Sequence, residues 1–473
     1  MPCALRLGVW LDRLFKPRSI AVVGASPNPR SIGNLLLKRI LDYGFQGRVY
    51  PVNPKYSSIL GLKCYPSVSS IGEHVDLAIV VTPAEVAVKV AEDCAKAGVE
   101  YIVVASGGFK EVGARGAELE RKLVEAARAG GARVVGPNCM GVYSPRGRVT
   151  LFEGFPREPG DVALVSHSGG MAEMIVMMLA ERGLGISLLA STGNEADLTL
   201  VDFIEYMSRD EDTRVIGGYI EQVKDGRRFL EEARKAAARK PIVLMKVGRG
   251  EAGRRAALFH TGALAGMDKV LSAAFKQAGV IRAETLLELV EYCMTFSRLN
   301  PTPVRGVGVI TGPGGLGVVL VDAVEQAGLK APEFTEETKL KLREILPPVA
   351  GVSNPADLTL AMVRDIDLVR RAALILDKDP KVDVMMVGVA AVLTYSRQIA
   401  EEFAKVMSEA GEQCSKPLVA VCPHVGEAET HLRKLVQAGI PVYLTPESAA
   451  SSLAALSAYH KAKMKLTSPE AAS

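Results

Sequence analysis

The chain has 473 residues, a formal net charge of +4, 48% hydrophobic residues and 23% charged residues, which is a balance typical of globular proteins. The chain contains no long basic run interleaved with aromatic residues, no apolar run of membrane-spanning length and no signal-peptide core, so a nucleic-acid or membrane partner is not expected. The seven cysteines are scattered without a Cys-x-x-Cys pair, which predicts reduced thiols in a cytoplasmic protein and no zinc site.

Three segments share one plan, in which a short apolar strand runs into a turn of small residues and then into a helical pattern. They begin at Ile20, Val162 and Val307, and their turns read Gly-Ala-Ser, Ser-His-Ser-Gly-Gly and Thr-Gly-Pro-Gly-Gly. Short apolar strands then alternate with helical stretches, which is typical of parallel, doubly wound α/β sheets. Turn clusters at 144–148 and 300–303 divide the chain into three predicted domains, residues 1–146, 147–300 and 301–473.

The first turn, Gly24-Ala25-Ser26, ends a strand ahead of a predicted helix, so its backbone N–H groups are placed to hold a phosphate. The second strand ends in Asn53-Pro54-Lys55, at the position where NAD-binding folds carry a ribose-binding carboxylate. A cation there favours a ligand with additional phosphate, such as coenzyme A (CoA) or NADP. A tight strand-to-helix turn without any ligand is an equally open interpretation.

Three further loops of the first segment lie at strand ends on the same predicted sheet edge. They are Thr82-Pro83-Ala84, Ser106-Gly107-Gly108-Phe109 and Gly136-Pro137-Asn138-Cys139-Met140-Gly141. Small side chains at four strand ends leave room for a long, thin ligand. Cys139 has the chemistry of a nucleophile, but the sequence gives no sign of a paired base, so a buried thiol is the better interpretation.

The second turn, Ser166-His167-Ser168-Gly169-Gly170, precedes a long apolar helix whose free N–H groups and positive dipole end predict an anion site. His167 is either a phosphoryl carrier or an exposed turn histidine. The strand ending at Ile220 delivers Glu221 to the same edge, where a carboxylate can fix an imidazole tautomer, although a solvated loop charge is equally open. The other histidines share no metal-ligand spacing, so no metal site is predicted; they are His74, His424, His431 and His460.

His260 stands in a run of small residues, Phe-His-Thr-Gly-Ala-Leu-Ala-Gly, shortly after a predicted strand over 241–247. Loops at the carboxyl ends of strands are where open α/β sheets bind ligands. A neutral imidazole in such a loop can attack phosphorus and carry a phosphoryl group. The alternative is a helix-capping histidine in a contact between small residues.

Four pieces of the chain together resemble the α subunit of ADP-forming acetyl-CoA synthetases, the NDP-forming acyl-CoA synthetases related to succinyl-CoA synthetase. The pieces occupy residues 17–26, 136–141, 191–197 and 260–266, and the resemblance extends from about residue 14 to about residue 456. It implies a Rossmann-like CoA-binding domain followed by two flavodoxin-like domains of the succinyl-CoA-synthetase type. The phosphohistidine loop would belong to the second domain.

The resemblance also implies roles for individual residues. His260 would be the transiently phosphorylated histidine and Glu221 the glutamate that contacts it, while phosphate would be held by Ser168, Gly169 and Gly170. The expected CoA-binding residues are Gly24, Ala25, Ser26, Lys55, Pro83, Ser106, Gly107, Asn138 and Cys139. This chain has His167 where many relatives have Gln or Arg, which leaves open an additional contact to the phosphate. Its third turn departs from the Asn- and Gly-rich run of relatives, so we assign no ligand to that turn.

The implied reaction is acyl-CoA + ADP + phosphate ⇌ carboxylic acid + CoA + ATP, through an acyl phosphate and a phosphohistidine, with acetate or another acid as the acyl group. Such an enzyme needs an ATP-grasp module for ADP or ATP and Mg²⁺, which the three predicted domains do not supply. We therefore expect a separate β subunit in an α2β2 assembly. The alternatives are a non-catalytic CoA-binding regulatory protein on the same scaffold and an NAD(P)-dependent oxidoreductase.

Overall fold

The computed structural model of the chain describes residues 11–253, 255, 268–389, 396–423 and 429–468. The chain divides into two compact units, one of Met1–Met178 with Gly185–Glu284 and one of Leu179–Leu184 with Thr285–Ser473. Within the described ranges, the first unit contains two large sheets and the second contains one. None of the helices in the described ranges is both long enough and apolar enough to cross a membrane.

The first sheet is parallel and has the strand order β2-β1-β5-β6-β7. Its strands are β1 (Ser19–Val23), β2 (Arg48–Val52), β5 (Leu77–Val80), β6 (Tyr101–Val104) and β7 (Arg133–Val135). The chain changes direction across the sheet between β1 and β5, and such a switch point opens a crevice at the carboxyl ends of the strands. A small antiparallel hairpin that the sequence did not predict follows β2; it comprises β3 (Ser58–Ile59) and β4 (Leu62–Lys63).

The helices of this part of the chain are α1 (Asp12–Phe15), α2 (Ile32–Tyr43), α3 (Ala84–Lys96) and α4 (Ala114–Ala129). Every residue of β1 is buried, as expected for a central parallel strand that is shielded on both faces. The α2 helix begins with a side-chain cap, because Ser31 Oγ accepts a hydrogen bond from the Asn34 N–H at 3.2 Å. Ala84, Ala87 and Ala91 of α3 lie in the core beside the strands, so this helix covers one face of the sheet.

The second sheet has the order β13-β12-β11-β9-β10-β8. Its strands are β8 (Gly141–Tyr143), β9 (Val162–Ser166), β10 (Ile186–Ser191), β11 (Val215–Ile220), β12 (Ile242–Lys246) and β13 (Ile281–Ala283). The strands are parallel except for β8, which pairs antiparallel with β10. This differs from the fully parallel sheet that we predicted, because a short edge strand on a parallel sheet can run in either direction. The helices are α5 (Gly169–Glu181), α6 (Leu200–Arg209), α7 (Gly226–Arg239) and α8 (Asp268–Ala278).

The second unit contains a parallel sheet with the order β15-β14-β16-β17-β18. Its strands are β14 (Val307–Thr311), β15 (Ala356–Asp357), β16 (Val384–Gly388), β17 (Leu418–Val421) and β18 (Val442–Tyr443). Its helices are α9 (Leu286–Arg298), α10 (Gly314–Gln326), α11 (Glu336–Ile345), α12 (Ala361–Arg364), α13 (Leu368–Asp377), α14 (Arg397–Gln413), α15 (Glu429–Gln437) and α16 (Pro446–Leu466). The α9 helix packs against α16 and belongs to this unit.

Candidate functional site

The loop after β7 and the turn before α5 border one cavity of about 200 Å³ in the first unit. Ala105 follows β6, Asn138 to Met140 follow β7, and the turn of His167 to Gly170 follows β9. The cavity is lined by Ala105, Asn138, Cys139, Met140, His167, Ser168, Gly169 and Gly170. The structure thus brings two of the predicted CoA-binding residues to the same space as the predicted phosphate-binding turn.

The close approach of the loop after β7 to the second sheet depends on Gly193. This residue has a φ of +53°, and a Cβ atom there would lie 2.3 Å from the Asn138 carbonyl oxygen. The neighbouring Asn194 N–H donates to the Pro137 carbonyl oxygen at 2.9 Å, and the Ala196 N–H donates to the Gly136 carbonyl oxygen at 2.8 Å. Only glycine fits at such a contact, because any side chain would push the two loops apart.

Asp197 binds the loop after β10, which contains Gly193, to the first sheet. Its buried carboxylate accepts hydrogen bonds from the Arg133 Nε at 2.9 Å, the Val134 N–H at 2.9 Å and the Arg128 Nε at 3.0 Å. Burial raises the pKa of Asp197, but the hydrogen bonds from Arg133, Val134 and Arg128 outweigh burial and hold the pKa below its usual range. The carboxylate is therefore charged and tied to β7.

The predicted phosphate-binding residues form the start of α5. Ser168 Oγ accepts a hydrogen bond from the Met171 N–H at 3.3 Å, and the α5 helix begins at Gly169. A Cβ atom at Gly169 would lie 2.1 Å from Met140 Cγ, whereas a Cβ at Gly170 would have nothing within 4 Å. The exposed backbone at Gly170 therefore faces open space at the positive end of a helix dipole, where an anion is stabilised.

His167 is buried, with 3% of its surface exposed, so its interpretation as an exposed turn histidine is wrong. Its Nδ1 accepts a hydrogen bond from the Glu221 backbone N–H at 2.8 Å, and its Nε2 lies 3.0 Å from Glu195 Oε1. We assign the proton of the neutral ring to Nε2, since Nδ1 is an acceptor. Nδ1 is thus occupied and Nε2 is buried against the Glu195 carboxylate, which leaves neither nitrogen open to a phosphoryl group.

Glu195 is the site residue that our sequence predictions missed. Its side chain is fully buried, its backbone is left-handed with a φ of +54°, and its Oε1 accepts a hydrogen bond from the Leu200 N–H at 2.6 Å. Burial raises the pKa of Glu195, but the adjacent His167 ring and the Leu200 N–H outweigh burial and hold the pKa below its ordinary value. The run Thr-Gly-Asn-Glu-Ala-Asp lies in one of the four segments that carry the family resemblance, but no spacing rule links its glutamate to His167.

Glu221 follows β11 directly and is also buried, with 3% exposed, so its interpretation as a solvated loop charge is wrong. Its backbone N–H meets the His167 ring, whereas the carboxylate beside that ring belongs to Glu195. His260 lies outside the described residues. The strand that leads to its loop, β12, is the neighbour of β11, with Lys246 paired to Ile220, so the chain leaves β12 beside Glu221.

The turn Gly24-Ala25-Ser26 lies at the switch point of the first sheet. Gly24 has a φ of +91°, and its N–H donates to the Val52 carbonyl oxygen at 3.0 Å. Asn53 Nδ2 donates to the Ala25 carbonyl oxygen at 2.8 Å, and the Asn53 side-chain oxygen accepts from the Lys55 N–H at 3.0 Å. Asn53 thus joins the first two strand-end loops and leaves the Lys55 side chain exposed beside the turn.

Two hydroxyl groups at the same edge, Thr82 Oγ1 and Ser106 Oγ, are buried and have no hydrogen-bond partner in the described part of the chain. They follow the adjacent strands β5 and β6 and stand next to the exposed residues Pro83 and Gly107. A buried polar group without a partner costs about 1–3 kcal/mol. A ligand with polar groups that lies along this edge would satisfy both hydroxyls.

Cys139 is a buried thiol whose Sγ lies 3.5 Å from the Val104 carbonyl oxygen. Burial raises its pKa to about 12, so the thiolate needed for nucleophilic attack is not formed near neutral pH. The cysteines in the described ranges are free thiols.

One group of described side chains could offer three ligand atoms to a metal ion. His74 Nε2 lies 3.2 Å from Asp76 Oδ1 and 3.3 Å from Glu100 Oε1. The group stands next to the amino ends of β5 and β6, at the edge opposite the cavity. It therefore takes no part in the candidate site.

The sequence matches three domain families in order along the chain. They are a CoA binding domain over residues 18–145, a succinyl-CoA ligase like flavodoxin domain over 159–296 and a ligase-CoA domain over 307–467. The α subunit of acetate–CoA ligase (ADP-forming) I from Pyrococcus furiosus is 39% identical over 461 residues, which cover 96% of this chain and 99% of that subunit. The chain belongs to the family of ADP-forming acetate–CoA ligase α subunits.

A solved structure from the same family supports the architecture. The dinucleotide forming acetyl-coenzyme A synthetase 1 of Ca. Korarchaeum cryptofilum, in complex with phosphate and ADP, has a TM-score of 0.86 and 36% identity. The match covers 97% of this chain and 99% of that chain. The family resemblance and the α/β fold class predicted from the sequence are therefore confirmed.

Some members of the ligase family are longer than this chain. The acetate–CoA ligase (ADP-forming) I of Archaeoglobus fulgidus is 39% identical over 463 residues, and the match covers 96% of this chain but 64% of that protein. The longer ligase therefore contains a further third of sequence beyond the part that aligns here.

Proposed function

We propose that this chain is the α subunit of an ADP-forming acyl-CoA ligase, which converts acyl-CoA, ADP and phosphate into a carboxylic acid, CoA and ATP. The observation that carries the proposal is the cavity shared by the loop of Asn138 and Cys139 and the start of α5. It lies in a chain 39% identical over 461 residues to an acetate–CoA ligase α subunit, so acetyl-CoA is the first substrate to test.

The first step takes place in the cavity, where phosphate attacks the carbonyl carbon of the thioester. The carbon–sulfur bond breaks, CoA leaves as a thiolate, and an acyl phosphate forms. The backbone N–H groups of Gly169 and Gly170 at the start of α5 lower the free energy of the negative charge on the phosphoryl oxygens. The buried Cys139 thiol takes no part, since its pKa of about 12 keeps it protonated.

In the second step neutral His260 attacks phosphorus, the phosphorus–oxygen bond to the acyl group breaks, and the carboxylate leaves. Glu221 stabilises the phosphorylated ring, because a carboxylate favours an imidazole that carries positive charge. The alternative carrier, His167, is buried, with Nδ1 bonded to the Glu221 N–H and Nε2 3.0 Å from the Glu195 carboxylate. This geometry supports His260 as the carrier.

Labelling of the histidine tests this assignment. The full chain is incubated with labelled acetyl phosphate, and the acid-labile, base-stable label is counted. We expect His260→Ala to lose the label and all turnover, while Glu221→Gln slows labelling about 10²–10³-fold, the usual cost of one preorganised electrostatic group. Label that is retained in His260→Ala would contradict the assignment.

CoA is proposed to lie along the carboxyl edge of the first sheet, from the turn at Gly24 past Pro83 and Gly107 to Asn138. The Lys55 side chain stands exposed beside the turn as a partner for a phosphate, and the unpartnered Thr82 and Ser106 hydroxyls offer hydrogen bonds to the ligand. The residues present therefore fit a long ligand that carries both phosphate and amide groups.

Calorimetric titration of the full chain tests the CoA site. CoA should bind, Lys55→Ala should weaken binding, and Lys89→Ala, an exposed lysine on α3, should leave it unchanged. NADH binding as tight as that of CoA would favour the oxidoreductase alternative instead. CoA binding without any labelling of the chain would favour a non-catalytic CoA-binding regulatory protein.

The nucleotide and Mg²⁺ are proposed to bind on a β subunit with an ATP-grasp module, in an α2β2 complex in the cytoplasm. Relatives that align over nearly their whole length are named as α subunits, which supports a partner subunit. The purified chain alone should make no ATP from acetyl-CoA, ADP and phosphate, and addition of the β subunit should restore synthesis. ATP formation by the isolated chain would contradict the proposal.

A further inference from the structure

We propose that His167 is a positioning residue, which holds Glu221 in place at the end of β11, and that Glu195 holds His167. The proposal rests on the function proposed above for Glu221 and assigns that site two further residues. It replaces the view of His167 as an alternative phosphoryl carrier or an additional phosphate contact.

The first argument is the pair of hydrogen bonds between the ends of β9 and β11. The His167 N–H donates to the Tyr219 carbonyl oxygen at 3.1 Å, and the Glu221 N–H donates to His167 Nδ1 at 2.8 Å. Glu221 is the first residue beyond β11, and its N–H lies outside the ladder between β9 and β11, which ends at the pair of Ser166 and Tyr219. The imidazole thus accepts the Glu221 N–H in place of a main-chain carbonyl oxygen. This bond keeps Glu221 in register with the end of β9.

The second argument is the way in which Glu195 fixes the ring. Its fully buried Oε1 lies 3.0 Å from His167 Nε2 and accepts from the Leu200 N–H at 2.6 Å. The Lys224 Nζ donates to the carbonyl oxygens of Asn194 at 2.8 Å and Glu195 at 2.5 Å. The left-handed backbone of Glu195 is strained, and such a conformation persists only where surrounding contacts enforce it.

Because Nδ1 accepts from Glu221 and Nε2 is buried against the Glu195 carboxylate, His167 acts through Glu221 and not on the reacting phosphorus. Displacement of a catalytic group by about 1 Å can cost roughly 10²-fold in rate. Loss of the bond to the Glu221 N–H would therefore lower the rate of phosphoryl transfer, while CoA binding on the first sheet would be unaffected.

Two amide substitutions test the two ring nitrogens of His167 separately. In His167→Asn the side-chain oxygen can replace Nδ1 as the acceptor for Glu221, whereas in His167→Gln the amide reaches the Nε2 position and the acceptor for Glu221 is lost. With the complex of this chain and its β subunit, we expect His167→Gln to lower kcat and labelling about 10- to 100-fold with an unchanged KM for CoA. His167→Asn should stay within about threefold of the wild type. Equal rates for the two variants, or a loss confined to His167→Asn, would overturn the proposal.

A double-mutant cycle with Glu221→Gln distinguishes positioning from a general structural defect. If His167 acts through Glu221, adding His167→Gln to Glu221→Gln should lower labelling by less than about twofold further. Multiplied losses would refute the proposal. If His167→Gln does not fold, Glu195→Asn serves instead, because asparagine tolerates a left-handed backbone but is too short to hold the ring. It should give the same loss and the same non-additivity.

The cycle also separates this inference from the proposed function. Failure of the proposed function would appear as a wild-type chain without label, or as a Glu221→Gln variant with the wild-type rate. Failure of the inference alone would appear as slow labelling in Glu221→Gln together with the wild-type rate in His167→Gln.

Discussion

Replacement of Asp197 by asparagine tests how strongly the segment after β10 is bound to the first sheet. Asparagine retains an oxygen for the Val134 N–H but loses the charge that pairs with Arg133 and Arg128. Removing one partner of a fully buried ion pair costs about 3–5 kcal/mol. The Arg133 and Arg128 side chains are 31% and 58% exposed and can be hydrated again, so we expect a smaller loss, about 2–3 kcal/mol.

Differential scanning calorimetry of the full chain measures this loss. With an unfolding entropy of about 2.1 cal/mol/K per residue, a change of about 2–3 kcal/mol corresponds to a fall of roughly 3–5 °C in the Tm of the first unit. The control is Glu153→Gln, which removes an ion pair with Arg39 in which the Glu153 side chain is 76% exposed, and it should change stability by less than about 1 kcal/mol. A Tm for Asp197→Asn equal to that of the control would refute the argument.

The pH dependence provides a second check on Asp197. Since the folded-state pKa of Asp197 lies below the unfolded value of about 3.9, its stabilising effect is present above that value and disappears as the pH falls through the folded-state pKa. The stability difference between the wild type and Asp197→Asn should therefore be constant from pH 7 to about pH 5 and shrink below about pH 4. A difference that persists undiminished at pH 2 would show that charge is not its source.

Three further substitutions test the cavity and the CoA edge. Gly193→Ala, whose Cβ would lie 2.3 Å from the Asn138 carbonyl oxygen, should lower turnover at least about tenfold and reduce the Tm; a wild-type rate would contradict the close approach. Cys139→Ser should keep kcat within about threefold, because the thiol with a pKa of about 12 is not a nucleophile. A loss of kcat of about 100-fold or more would show instead that Cys139 acts as a nucleophile. Ser106→Ala should weaken CoA binding about 3- to 10-fold in a titration, while Ser67→Ala, away from the cavity, should match the wild type.

Most strands of the two large sheets in the first unit could be predicted from apolar runs alone. The expected strand over 215–220 is observed as Val215–Ile220, and the expected strand over 241–247 as Ile242–Lys246. The strands β8 and β13 were missed, because three residues are too short for an alternation pattern. The sequence pattern predicted a strand clearly where an apolar run led into a Gly-rich turn. It did not do so where a short strand forms only because it pairs with a strand distant along the chain.

The sequence by itself determined the α/β class, the strand ends with small residues and the family, because those properties depend on composition, periodicity and short motifs. Only the tertiary structure decided which polar side chains meet. His167, Glu195 and Glu221 follow three different strands, β9, β10 and β11, and sheet order alone brings them together. The sequence identified Glu221 by its place at a strand end, but it could not show that its backbone contacts His167 while Glu195 supplies the carboxylate. Hydrogen bonds between distant residues depend on the packing of the strands and loops, which no spacing along the chain encodes.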